Sequence, residues 1–201
     1  MRMTILNRIL LLLTGLLAAY QIAVGIDGLA TLPIMAYTIA FGILLVAALL
    51  LIILGFEVLD SPIVVIASTA IPLCLSLGLV WEHFAPYRRL YLAIAIAGFL
   101  AVLATRLLPL RNRLPVVVLA TVHGIAGLTI FLLPILLSLA GQARPAFSLV
   151  GVGGALIGAG GLLLALLKAG KPLLSHETIL KVLPGLLLLM MAAFVAGFAL
   201  G

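Results

Sequence analysis

Three histidines, one cysteine and five carboxylates hold most of the reactive chemistry in this sequence, and their spacing limits its use. His123 lies eight residues beyond Pro115 in an apolar stretch. On a helix rising about 1.5 Å per residue it sits roughly 12 Å into the bilayer. An ionisable group at that depth is costly and by default marks a site: a haem or chlorophyll ligand, a proton relay or a polar contact for a substrate. The alternative is a neutral imidazole bonded to a neighbouring helix, with Thr121 or a backbone carbonyl as partner. His83 follows the third apolar stretch and His176 precedes the seventh. The three therefore occupy different depths, which excludes a shared metal and a bis-histidine haem within the chain. No HExxH, CxxC or carboxylate–histidine helix pair is present. Cys74, between Leu73 and Leu75, has no partner for an internal disulfide and reads as a small apolar filler.

The remaining polar clusters have structural explanations. Ser175-His176-Glu177-Thr178 resembles a helix start, with Ser175 capping and Glu177 in the first turn. Adjacent serine and histidine on such a turn point apart, and no nucleophile elbow accompanies them. Asp60-Ser61-Pro62 reads as a helix stop followed by a new cap and proline, with Asp60 capping. Glu57 is expected to pair with Arg8 or Arg106. Glu82-His83 and Arg88-Arg89 flank Pro86 in the densest polar loop of that side. That loop is either a rim for an anionic headgroup, a quinone or a partner, or a solvated loop with internal salt bridges. With no nucleophile–base pair and no phosphate-cradling loop, no enzyme is expected, and no cofactor is identified beyond the candidate ligand His123.

The elements that must position these residues are membrane spans. The sequence is 66% hydrophobic and 8% charged, a balance that no soluble surface of this size tolerates. A span needs roughly 20 apolar residues, and seven such runs occur, at about 9–26, 32–54, 62–81, 90–108, 115–140, 146–167 and 179–200. Each is continuously apolar, which excludes barrel strands. The expected fold is an all-α integral membrane protein, a seven-transmembrane-helix bundle in a single domain, residues 1–201. Arg2 and Arg8 ahead of an apolar run imitate a secretory signal, but no clean small-x-small site follows, so the segment reads as a retained helix. Placing the N-terminus in the cytoplasm puts Arg2, Arg8, Arg106, Arg111, Arg113, Lys168, Lys171 and Lys181 inside and Arg88, Arg89 and Arg144 outside. That bias orients short loops, with the C-terminus opposite, and explains the net charge of +6 without a nucleic-acid partner. The expected partners are membrane lipids and other membrane subunits, or self-association.

Gly151, Gly154, Gly158 and Gly161, with Ala165, follow three- and four-residue steps on span six. They form a smooth helix-packing seam that allows close backbone approach, whether to a neighbour in the chain or to another subunit. Sliding the sequence by 112 residues puts Gly15 on Gly127, Pro33 on Pro145, Gly42 on Gly154 and Pro72 on Pro184. The outcome is a three-plus-one-plus-three layout with a parallel internal repeat and span four as linker. This layout resembles that of the SWEET sugar transporters in arrangement, although their paired proline–glutamine motif is not found here. Prolines inside spans free backbone carbonyls, so Ser68, Thr69, Pro72 and Ser76, with Pro184 as counterpart, form the candidate substrate pocket of a carrier. Two functions are expected from these features. The first is an accessory or scaffolding subunit of a larger membrane complex, with a bioenergetic complex as one setting. The alternative is a small-solute carrier or facilitator.

Overall fold

The computed structural model describes residues 3–108, 113–168 and 173–201, apart from the side chains of residues 60 and 165–168. Arg2, Arg111 and Lys171 lie outside the described residues, as do the side chains of Asp60, Ala165 and Lys168. Among the described residues seven α-helices form: α1 (Ile5–Val24), α2 (Thr31–Leu54), α3 (Pro62–His83), α4 (Arg88–Leu107), α5 (Leu114–Leu139), α6 (Ser148–Lys168) and α7 (His176–Leu200). Among the described residues there is no strand, and all seven helices are long and apolar enough to cross a bilayer. The protein is a multi-pass, all-α membrane bundle.

Capping chemistry sets the helix ends more than the apolar runs do. α1 starts at Ile5 rather than Ile9 because Thr4 Oγ1 accepts the Asn7 N–H at 3.1 Å. Arg8 consequently rides on the helix, exposed. α1 and α2 stop at Gly25 (φ 72°) and Gly55 (φ 78°), left-handed positions that glycine adopts without strain. The N-cap of α3 is Ser61 rather than Asp60, and its side chain makes no capping bond. Ser175 caps α7 as its sequence suggested, with Oγ accepting the Thr178 N–H at 3.1 Å and Glu177 in the first turn.

Six helices close a ring in the order α1, α2, α3, α5, α6, α7, with α7 returning to α1. α4 sits outside it, packed on α3 and α5 and burying only Ala95 and Val102. Exchanging the triplet α1–α3 with α5–α7 carries this ring onto itself: α1–α2 becomes α5–α6, α2–α3 becomes α6–α7, and the α3–α5 seam becomes α7–α1.

The membrane face at which α1 begins is called here the N-face, and the face at which α7 ends the C-face. The N-face end is filled by a buried cluster of Leu11, Leu51, Phe56, Leu180 and Leu183. A larger core occupies the middle and the C-face half, where Phe41 and Phe194, both at most 1% exposed, meet edge to face at 6.3 Å.

Candidate functional site

Tyr37, in the second turn of α2, is buried in the bundle. Its ring lies flat on α3 because position 78 has no side chain. A Cβ added at Gly78 would stand 2.6 Å from Cε1 and 2.9 Å from the hydroxyl oxygen of Tyr37. One turn further along α3 is Glu82, on the same face as Gly78 by its four-residue spacing. Glu82 accepts the Ala30 N–H at 3.3 Å, which ties the end of α3 to the α1–α2 loop. Among the described residues it makes no ion pair. The next residue, His83, has its ring 5.2 Å from that of Phe147.

These groups form one wall of a cavity of about 570 Å³. The other wall comes from the second triplet: Gln142 and Arg144 in the α5–α6 loop, Phe147 at the approach to α6, and Phe198 near the end of α7. Ring contacts run without a break from His83 to Phe147, from Phe147 to Phe198 at 6.3 Å, and from Phe198 to Tyr37 at 5.0 Å. The cavity opens at the C-face, since its lining comes from helix ends and loops there. Phe198 in its wall stands 6.1 Å from Phe41 of the core. The cavity is an amphipathic cup lined by the Glu82 carboxylate, the Arg144 guanidinium, Gln142, His83 and aromatic rings, a composition suited to binding a small polar molecule.

A second hollow of about 450 Å³ lies between α3, α4 and α5. It is almost wholly apolar and faces the lipid, with the Tyr91 hydroxyl near Thr129 Oγ1 at 3.4 Å as its polar feature.

The residues singled out by sequence fall elsewhere. His123 is half-buried on α5, and its Nδ1 is 3.1 Å from the Leu119 carbonyl one turn back on its own helix. Thr121 is exposed and is not its partner. The Arg106 charge on α4 lies near the imidazole, and neither cavity includes His123 in its lining. Among the described residues, no three histidine, cysteine or acidic side chains gather to hold a metal.

Thr69 and Ser76 are fully buried, but their hydroxyls, with that of Ser68, are spent on α3 itself. Ser68 and Thr69 donate to the Val65 carbonyl at 3.0 and 2.8 Å, and Ser76 to that of Pro72 at 2.7 Å. Pro72 and Pro184 are buried inside α3 and α7, and none of these five residues lines either cavity.

The glycine seam divides. At Gly151 and Gly154 an added Cβ would press on α5, 2.6 Å from the Phe131 carbonyl and 2.7 Å from Ile130 Cγ2, whereas nothing lies within 4 Å at Gly158 or Gly161. At Gly153 an added Cβ would stand 2.6 Å from Phe194 Cδ1 of α7.

The polar loop around Pro86 also divides. Its acidic half enters the cavity, while Arg88 lies over the Trp81 ring, 5.8 Å from the centroid, with Nε donating to the Trp81 carbonyl. Among the described residues it has no internal salt bridge, and Glu57 pairs with neither Arg8 nor Arg106.

One pattern was legible but unread. Asn7, Thr14 and Gln21, seven apart on α1, are all buried. Thr14 donates to the Leu10 carbonyl at 2.8 Å and Gln21 Nε2 to that of Gly25 at 3.0 Å. Asn7 Nδ2 finds no acceptor among the described residues. Seven-residue polar spacing inside an apolar helix was the available signal.

Compared with protein-family models, with curated proteins and with solved structures, the chain gives no match.

Proposed function

We propose that this integral membrane protein is a small-solute carrier or facilitator whose binding site is the C-face cavity. One observation carries the reading: the cavity is walled by the C-face ends of both helix triplets. A site on the seam between two halves changes shape when the halves rock, which is how repeat-built transporters expose a site to one side at a time. No acidic residue stands at mid-span, so the proposed mode is facilitation without ion coupling, and no catalytic step is assigned.

The test is purification in mild detergent followed by reconstitution into liposomes. A particle near 21 kDa, or a small multiple, that passes small polar solutes faster than empty vesicles do is the expected result. Absence of flux across neutral, cationic and zwitterionic solutes would overturn the reading.

A second reading, an accessory or scaffolding subunit of a larger membrane complex, draws on α4. That helix lies outside the ring and borders the apolar lipid-facing hollow, a surface on which another membrane helix or a lipid can sit. Recovery of the chain only within a larger assembly would favour it.

A further inference from the structure

We infer that the C-face cavity binds a zwitterion, with an ammonium group held by Glu82 and the aromatic belt and an anionic group held by Arg144. The inference rests on the cavity proposed above as the carrier's site and names its ligand class.

Glu82 uses one carboxylate oxygen for a long 3.3 Å bond from the Ala30 N–H, which leaves acceptor capacity free. Beside it stand Tyr37, Phe198, Phe147 and His83, with successive rings inclined at 57°, 65° and 53°. The rings are tilted or edge-on to one another rather than stacked, and all four line the cavity. Aromatic faces beside a carboxylate make the environment that holds an organic ammonium, because ring quadrupole and negative charge attract the same group.

Arg144 lines the same cavity from the other triplet. It forms no ion pair with Glu82 among the described residues, so the two charges do not neutralise each other directly. Its planar fork of donors matches a carboxylate or a phosphate. A lone cation would leave the guanidinium unmatched, and a lone anion would leave the carboxylate so. A neutral solute would leave both charges unmatched as the site closes. A ligand with both charges satisfies both walls and bridges the two triplets. Two sources supply that chemistry: a free betaine-like solute or the headgroup of a zwitterionic phospholipid.

The test uses the full chain in lipid-free detergent and equilibrium binding of radiolabelled glycine betaine, with choline and acetate as single-charge competitors. Glycine betaine should bind at least about tenfold more tightly than either competitor, and Glu82→Gln and Arg144→Gln should each weaken it about tenfold, the effect of losing one charged contact. Glu82→Asp should retain part of the affinity, which separates lost charge from lost folding. Choline or acetate binding as well as glycine betaine would overturn the proposal, as would indifference to both substitutions in monodisperse protein. Glycerophosphocholine displacing glycine betaine, together with occlusion of the site in phosphatidylcholine nanodiscs, would identify the source as a lipid headgroup. Betaine binding that persists in those nanodiscs would identify a free solute. Binding without flux in liposomes keeps this site and removes the carrier reading. Flux of another solute without betaine binding removes the ligand class and keeps the carrier.

Discussion

Gly78 and Tyr37 show how one missing side chain fixes a site. The Tyr37 ring occupies the volume a Cβ at position 78 would need, so Gly78→Ala must push the ring off α3 and into the cavity. Overpacking of this kind costs about 1–3 kcal/mol. The expected outcome is a lower midpoint of thermal unfolding in detergent together with loss of ligand binding. Tyr37→Phe in the wild-type background should leave the midpoint nearly unchanged. His123 gives the opposite expectation. Its ring is held by a carbonyl of its own helix, so His123→Ala should cost within about 1 kcal/mol, the net value of one such bond. The absorption spectrum of the purified protein should be identical before and after the change; a visible band lost with the imidazole would restore the ligand role. Depth alone made His123 prominent in the sequence. Glu82 looked like loop chemistry because position along the chain does not reveal that α3 continues to His83 and aims the carboxylate between two triplets.

Helix packing was readable where it depends on residue size and hidden where it depends on direction. The glycine run on α6 was apparent, but the choice of glycines that meet a neighbour depends on where α5 and α7 stand around α6. Gly151 and Gly154 face α5, Gly153 faces Phe194 of α7, and Gly158 and Gly161 face open space. Gly154→Leu should therefore separate α5 from α6 and lower stability by several kcal/mol, since the side chain would overlap backbone as well as Ile130. Gly158→Leu should leave the monomer's unfolding midpoint unchanged. Paired measurements on the two variants check this: equal destabilisation would mean that α6 is rotated from the orientation described. If Gly158→Leu instead shifts the particle's mass in mild detergent without changing that midpoint, the open end of the seam is a contact between copies or with another subunit. The capping signal at Ser175 was legible for a different reason: it is local, with the decisive contact made to Thr178, three residues on.

At the scale of the whole molecule, the 112-residue offset preserves the ring while changing what fills it. The position matching Glu82 is Phe194, and the position matching Tyr37 is Leu149. At these positions one triplet presents polar groups where the other presents apolar ones, and the cavity lies at the C-face. Those differences were invisible to a search for matches, which scores identity and passes over the substitutions that make the site. If the halves rock, the N-face cluster must part when the C-face cup closes, and Leu51 of α2 and Leu183 of α7 belong to that cluster from opposite triplets. In a Cys74→Ala background, Leu51→Cys with Leu183→Cys, bridged by a short bifunctional thiol reagent, should hold the N-face shut. The expected result is loss of solute flux with ligand affinity at the C-face cavity retained, and recovery of flux when the bridge is cleaved by reductant. Unchanged flux through fully bridged protein would mean that the two triplets do not move against each other at this end. The solute would then need a route that leaves the Leu51–Leu183 seam closed.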